Sequence, residues 1–509
     1  MYEGGLAMNL NNIRHLNWLN IIVKAAVVMF VVFLLFIAGA MTALAPWLIA
    51  RLLPIGILVI VILTALMSAN DKRLSEKTLN IWLAVLLSTM ALWPTYLLIK
   101  FSGLPALDAR RVVAGLTLGA TLYFLLSRKY FVKALFTGGY FRVGSFLVLS
   151  YATLRIASCF TSEHTFASLI IVFWEILYYY SMFFVGALLF GEAKYHQWLM
   201  KILMVLAVLI AGYAAVEWLF EKNILIQLAP SNKEFTEFKA ALALSRLREG
   251  FFRAQGTFEH PLLLAEFSAM TLCFGLAAML WSKKEDEFRV LGGITIVAAI
   301  GAALLSGSRS ALITTTLGGL IVILLRIIAP KVALKKRQQT FRKIAFFFTL
   351  SAVIAVAIPA ASVLVKGRTT NEAASTVGRI YMLELGIPSI LSNPLLGKGP
   401  GSSGAIAGIR TGSGIGTLDN YLLAIAIESG VPALFLFLAC LLYPVWVIFN
   451  KLMTGEQTSA NFYAAVAAAL VVTTITRTVL WMPYNLLFSF LLAGMVLRSI
   501  SNNPKNTDQ

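Results

Sequence analysis

The sequence predicts an all-α polytopic membrane protein, and three observations predict it. Hydrophobic residues make up 59% of the 509 and charged residues only 13%, about half the ~25% charged content of a soluble domain. Mean hydropathy is +0.83. Apolar runs long enough to cross about 30 Å of hydrocarbon recur from residue 18 almost to the end of the chain. They are too long and too evenly spaced for the ten-residue alternation of an outer-membrane barrel.

In order, the candidate spans are 18–40, 43–67, 78–99, 111–127, 143–158, 167–190, 199–220, 261–281, 289–306, 310–328, 344–366, 421–449, 460–476 and 483–498, which gives about 12 to 14 helices in one integral membrane domain, 1–509. The final stretch, AALVVTTITRTVLWMPYNLLFSF, carries Arg477 and Pro483. It reads either as two spans or as one broken re-entrant element.

Charge bias orients the chain. With the N-terminus inside, the Lys-rich stretches DKRLSEK, SRKYFVKALFTGGYFR, SKKEDEFR and PKVALKKRQQTFRK all fall in the cytoplasm, as the positive-inside rule requires. Both termini are then cytoplasmic. Arg14 and His15 precede the first span and no cleavage-site pattern follows it, so that span reads as a retained anchor. The net charge of +19 is mostly topological. No Lys/Arg block stands beside an aromatic ladder, so nucleic acid is not an expected partner. Cys159, Cys273 and Cys440 lie in or at apolar spans without a CxxC; neither a disulfide framework nor a metal site is expected.

Two segments are neither spans nor short connections: residues 221–260 and 367–418, both on the outer side in this topology. The second contains RIYMLELGIPSILSN, with Leu383, Ile387 and Leu391 on one helical face. This piece reads as a helix lying on the membrane or as a packed lid helix.

Lysines crowd the inside, whereas the outside offers arginines: Arg246, Arg248, Arg253, Arg309, Arg368, Arg379 and Arg410, with Arg110 and Arg111 on another loop. Positive charge there opposes the insertion bias, while the planar five-donor guanidinium suits phosphate or carboxylate oxygens. In LLSGSRSALI, Arg309 falls where one span ends and the next begins, among Ser306, Gly307, Ser308 and Ser310. Small side chains and backbone donors at a helix start are the material of an anion nest. The alternative is that Arg309 reaches a lipid headgroup phosphate.

In FFRAQGTFEHPLLLAEF, Arg253 precedes a glycine turn and Pro261 opens the next span. Glu266 then falls inside an apolar helix. An ionisable group at that depth faces a cavity or a partner such as an arginine of a neighbouring span. Glu175 is equally able to pair with Arg155 or Arg51, Glu163 and His164 lie on a short outer loop, and His196 falls in the cytoplasmic loop GEAKYHQ and is expected to be inert. In GTLDNYLLAIAIESGVPALFLFL, Asp419 and Asn420 open a helix that Gly430 to Pro432 interrupt. Asp419 and Glu428 each suit a general base, a cap or a salt bridge.

These stretches, with TVGRIYMLELGIPSILSNPLLGKGPGSSG, stand in the order and spacing of the bacterial O-antigen ligase and polysaccharide polymerase superfamily, which the chain resembles over about residues 205–445. The resemblance implies a GT-C-like glycosyltransferase of the inner membrane, working at the periplasmic face with no cofactor and no metal. Its donor would be an undecaprenyl pyrophosphate-linked glycan. Its acceptor would be another carrier-linked glycan, for a polymerase, or lipid A core, for a ligase, with protein acceptors in related members and a chain-length regulator as a candidate partner.

By the same resemblance Arg253, Arg309 and Arg379 match the family's loop arginines, Asn393 to Gly399 match its NPLLGxG segment, and Asp419 to Leu423 match its HNxYL motif with Asp in place of His. The exchange removes the imidazole whose pKa lies nearest neutrality, leaving Asp419 or His260 as the proton acceptor, or no side-chain base. Arg253 and Arg309 are expected to clamp the pyrophosphate. Arg379, Arg368, Arg410, Ser308, Asn420, Glu266 and Glu428 are expected to bind the substrate around them.

A polymerase holds two pyrophosphates, which the many outer arginines favour over a ligase. A transporter is the alternative of another class, since Glu175, Glu266 and Arg477 within spans suit a substrate path. No second copy of SGSRS or NPLLGKG marks a half-repeat, and no GxxxxGK[ST] segment is present.

Overall fold

The structure is a computed structural model that describes residues 76–94, 97, 108–127, 139–227, 247–248, 251–282, 286–329, 340, 344, 370–410, 416–454 and 459–502. The expected spans 18–40 and 43–67, all but the first residue of 344–366, and Arg51, Arg246 and Arg368 lie outside the described residues.

The described chain is an all-α polytopic membrane protein. Its helices are α1 (Glu76–Leu92), α2 (Ala109–Ser127), α3 (Gly139–Ser158), α4 (Thr165–Glu175), α5 (Ser181–Phe190), α6 (Lys194–Leu219), α7 (Ile224–Gln227), α8 (Pro261–Trp281), α9 (Glu287–Leu305), α10 (Arg309–Ile328), α11 (Thr370–Ser392), α12 (Ser403–Ala407), α13 (Tyr421–Met453), α14 (Ala460–Thr476) and α15 (Leu486–Ser501). Among the described residues seven continuous helical stretches are long and apolar enough to cross a membrane. The shorter α14 and α15 are also apolar. Helix α1, with 17 residues, spans about 25 Å at 1.5 Å per residue; α2 opens with Arg110 and Arg111. Neither is among the seven.

The final stretch is two helices rather than one broken element, because Arg477 to Asn485 form a hairpin between α14 and α15. His196 corrects its expected place in a loop: it lies in the first turn of α6, fully buried, with its ring 4.0 Å from that of Phe462.

Helix α8 is the axis of the bundle, packed on α9, α10, α14 and α6. Its start obeys local rules. Pro261 occupies the first turn, where no amide donor is needed, and His260 caps the helix by accepting from the Leu262 amide at 3.1 Å. Helices α5 and α15 touch through small residues: a side chain at Gly186 would strike the Leu491 carbonyl, and one at Gly494 the Phe183 carbonyl. Such close approach is how helices gain contact where no hydrophobic driving force separates them from lipid.

Two irregularities shape one end of the bundle. Between α4 and α5 the residues Ile176–Tyr180 form a π-turn, whose i to i+5 closure lets the Tyr180 hydroxyl donate to Glu175 Oε2 at 2.8 Å. In α13, Gly430 adopts φ 81° and breaks the helix. The carbonyls this break frees are answered by the NPLLGKG segment: the Lys398 and Gly399 amides donate to Ile427 and Glu428, and the Val431 amide donates to Pro394. A side chain at Gly430 would lie 2.5 Å from the Leu395 backbone. The motif therefore has a structural reason, since it patches an unwound turn that would otherwise leave buried carbonyls unpaired.

Segment 221–260 contributes α7 and a two-stranded ladder of β1 (Leu247–Arg248) with β2 (Phe251–Phe252); β3 (Ile409–Arg410) and β4 (Gly416–Thr417) form a second. Helix α11 turns Met382 and Gly386 against α13, while Leu383, Ile387 and Leu391 remain exposed on its other side. The helix thus packs on α13 along one side and leaves an apolar face open along the other.

Candidate active site

Everything chemically unusual gathers at the end where α3, α6, α9 and α14 finish and α2, α4, α8, α10, α13 and α15 begin. The opposite end holds the starts of α1 and α6 and the finish of α15, with Lys77, Lys194 and Arg498.

Arg253 and the 305–309 turn form one unit. The Ala254 amide donates to the Leu305 carbonyl and Arg253 Nε donates to the Ser306 carbonyl at 2.9 Å. Gly307 has φ 57°, and a side chain there would meet Arg253 Cγ at 2.9 Å. Glycine is needed both for the turn and for the arginine lying across it. Ser308 caps α10 without a side-chain cap bond, its hydroxyl engaged with that of Ser310 at 2.7 Å, and Arg309 follows, exposed, in the first turn. Two arginines thus flank the N-terminus of a 20-residue helix, where the macrodipole favours anions.

Sequence reading missed what holds this turn. Glu217, buried near the end of α6, accepts from the Gln255 and Gly256 amides at 3.1 and 2.6 Å and from Asn223 at 3.0 Å. Thr257 donates to the Ala91 carbonyl at 2.6 Å. A glutamate at the apolar end of this helix was the available signal, but two of its partners are backbone amides, which a sequence does not distinguish.

Two buried ion networks account for most intramembrane charges. Glu266 accepts from Arg477, Thr476 and Asn485, and both members of the Glu266–Arg477 pair are fully enclosed. The salt bridge with a neighbouring span, one of the two readings of Glu266, is formed. Arg155 pairs with Glu175, through Nε at 3.0 Å and Nη2 at 2.6 Å, and with Glu428 through Nη1 at 2.9 Å. Ser403 completes Glu428 at 2.6 Å. The Arg155 network ties α3, α4, α12 and α13 together; it leaves Glu428 ion-paired rather than poised as a base.

Asn420 caps α13 by accepting from the Leu423 amide at 3.0 Å. Asp419 lies next to it, its pKa raised by burial and lowered in part by the nearby Arg379. Arg379 Nε is buried with no hydrogen-bond partner among the described residues. Arg410 lies on β3, opposite Gly416. His260 is pushed down to about 4 by burial and then by Arg253. It is neutral, and because Nδ1 accepts the capping bond its proton sits on Nε2. Toward its remaining neighbours this histidine is a donor, which removes the lone pair a base requires.

The same end of the bundle holds a cavity of about 510 Å³, whose lining includes none of Arg253, Arg309, Arg379, Arg410, His260 and Asp419. Arg110, Arg111, Asp108 and Glu259 line it with Trp174, Tyr178, Tyr421, Tyr484 and Trp481, above Glu175 and Glu428. Arg111 sits over the Trp174 ring at 4.9 Å and Arg110 over the Tyr484 ring at 5.3 Å. Asp108 caps α2 through the Arg111 amide at 2.7 Å and approaches Arg110 Nη2 at 3.5 Å. The Tyr178 and Tyr421 hydroxyls are buried without partners among the described residues. Flat aromatic faces, fixed cations and unanswered hydroxyls in one concavity suit a polar ligand with apolar faces, as a sugar has. Among the described residues no group of His, Cys, Asp and Glu is arranged to hold a metal ion.

Fold and cavity together define a multi-pass membrane protein with a cationic, aromatic site at one end of its helices. Residues 294–438 match the model of a family described as O-Antigen ligase. The match supports membership of the O-antigen ligase and polymerase superfamily, an enzymatic, glycan-transferring group. It is narrower than the expected 205–445. It includes Arg309, Arg379, Asp419 and Glu428 and leaves out Arg253, Glu259, His260 and Glu266. No match was found among the curated proteins.

Proposed function

We propose that the protein moves a glycan from an undecaprenyl pyrophosphate carrier to an acceptor hydroxyl at the periplasmic face of the inner membrane, extending a polysaccharide by repeat units. The observation that carries this reading is the cavity, to which the matched segment contributes Gly401, Tyr421, Ala424, Ile425 and Glu428 while α2 contributes two arginines.

In the reaction the acceptor oxygen attacks the anomeric carbon while the bond to the diphosphate oxygen breaks, and the carbon passes through an oxocarbenium-like state. Negative charge grows on the departing oxygen. Preorganised donors at that oxygen lower the barrier because they bind the transition state more tightly than the ground state. Arg253 and Arg309 at the α10 N-terminus take this role. Arg379, with its unanswered Nε, closes from α11. The sugar occupies the aromatic cavity, into which Glu259 projects one residue from the cap of α8. Attack from the face opposite the diphosphate inverts the anomeric centre.

Polymerase is favoured over ligase because two separate arginine groups are at hand, Arg253 with Arg309 and Arg110 with Arg111, and a polymerase carries a diphosphate on donor and acceptor alike. Purified protein given a defined undecaprenyl pyrophosphate-linked glycan is expected to lengthen carrier-linked chains and release undecaprenyl pyrophosphate. Transfer only to added lipid A core would make it a ligase. Carrier consumed in neither reaction would overturn the reading.

A further inference from the structure

We propose that Glu259 is the catalytic residue that takes the proton of the acceptor hydroxyl, an inference that rests on the glycosyl-transfer reading and adds its missing base. Histidine is replaced by Asp419 at the resembled position, and Asp419 does not line the cavity. His260 offers a donor. Four carboxylates do line the cavity: Asp108, Glu175, Glu259 and Glu428.

Three of the four are committed elsewhere. Asp108 caps α2 and lies between Arg110 and Arg111. Glu175 and Glu428 are salt-bridged to Arg155. Among the described residues no lysine or arginine lies within salt-bridge distance of Glu259, and the Tyr484 hydroxyl is the neighbouring group that favours its ionised form alongside Arg110 and Arg111. The turn that carries it is fixed from behind by Glu217 and Thr257, and His260 locks the next residue as the cap of α8. The carboxylate is therefore held on a rigid mount in a cavity with room for a sugar.

The groups facing it are Arg110, Arg111 and Asp108 from the start of α2, Tyr179 from the π-turn and Tyr484 from the 477–485 hairpin. Burial raises its pKa, Asp108 adds to the rise, and Arg110, Tyr484 and Arg111 hold it back, leaving it at about 7. A base poised there is ionised enough to accept a proton and basic enough to draw it.

The step balances without any further reactant. The acceptor oxygen forms a bond to the anomeric carbon, the carbon–oxygen bond to the diphosphate breaks with its electron pair, and the hydroxyl proton moves to Glu259. The carboxylic acid then returns its proton to water entering the emptied cavity.

The test is the pH–rate profile of purified full-length protein in vesicles with a lipid diphosphate-linked glycan, for the parent and for Glu259→Gln, Glu259→Asp, Tyr484→Phe and Asp419→Asn. A base must be ionised, so the parental rate should rise with pH through about 7 and then level. Glu259→Gln should lower the maximal rate by ~100-fold or more and abolish the rising limb, with Glu259→Asp recovering part of both. Tyr484→Phe removes a donor that favours the ionised form, so the limb should move to higher pH, a shift that a purely structural glutamate would not produce. An unchanged limb in Tyr484→Phe, or Glu259→Gln within a few-fold of the parent, overturns the assignment. So does loss of the limb in Asp419→Asn with Glu259→Gln unaffected. A parent that transfers nothing overturns the glycosyl-transfer reading itself.

Discussion

Replacing Arg309 by alanine is expected to reduce glycan transfer by ~100-fold, and Arg253→Ala by at least as much, with the protein still present in the membrane at the parental level in the first case. The magnitude follows from comparable single-donor losses at oxyanion sites, about 3 kcal/mol. Arg309 is exposed at the start of α10, so its effect should fall on the rate alone. Arg253 is buried and its Nε also answers the Ser306 carbonyl. Its loss should therefore lower both rate and yield. Arg309→Lys should recover little, since a single ammonium cannot reproduce the planar two-donor contact with a phosphate. Activity of Arg309→Ala within a few-fold of the parent at equal protein level would remove Arg309 from the reaction.

The second large effect concerns folding. Glu266→Leu leaves Arg477 fully enclosed beside the Met482 carbonyl of the hairpin and an aromatic ring, having lost its carboxylate. Breaking one partner of a buried pair costs about 3–5 kcal/mol, enough to remove most folded protein from a marginally stable domain. Near-complete loss of a monodisperse detergent-solubilised peak is the expected outcome. The double replacement Glu266→Leu with Arg477→Met should recover much of it, because neither charge is then stranded. If Glu266→Leu alone were as abundant and as heat-resistant as the parent, the enclosed pair would not be holding α8 to the α14–α15 hairpin.

Most of the helices were legible in the sequence for reasons confined to single segments. Pro261 at a first turn and the Ser-Gly junction before Arg309 each mark an end by local chemistry and fall within a residue or two of the observed boundary, and the Gly430 to Pro432 break coincides with the kink in α13. The site was legible only in part. Arg253, Arg309 and Ser308 do meet at one turn, and Asn420 does cap α13. The partners of Glu266 and Glu428 were not legible, because Arg477 and Arg155 lie 211 and 273 residues away along the chain. The cavity was illegible for a related reason. Its walls come from α1, α2, α4, the π-turn, α13, α15 and the turns that carry Glu259, Gly401 and Tyr484, and aromatic residues such as Trp174, Tyr178 and Tyr484 read in sequence as ordinary membrane-helix packing. Arg110 and Arg111 stood out only by sign, and Glu259 not at all.

Sidedness is the most direct test of the claim that this arginine-bearing end meets the lipid diphosphate outside the cytoplasm. His164 is exposed in the turn between α3 and α4, near the 399–401 segment, and the three native cysteines are buried. A His164→Cys protein in intact cells should be modified by a thiol reagent that reaches the periplasm but cannot cross the inner membrane. Protection in intact cells, with modification only after the cytoplasmic face is opened, would put the cavity on the wrong side and contradict the account.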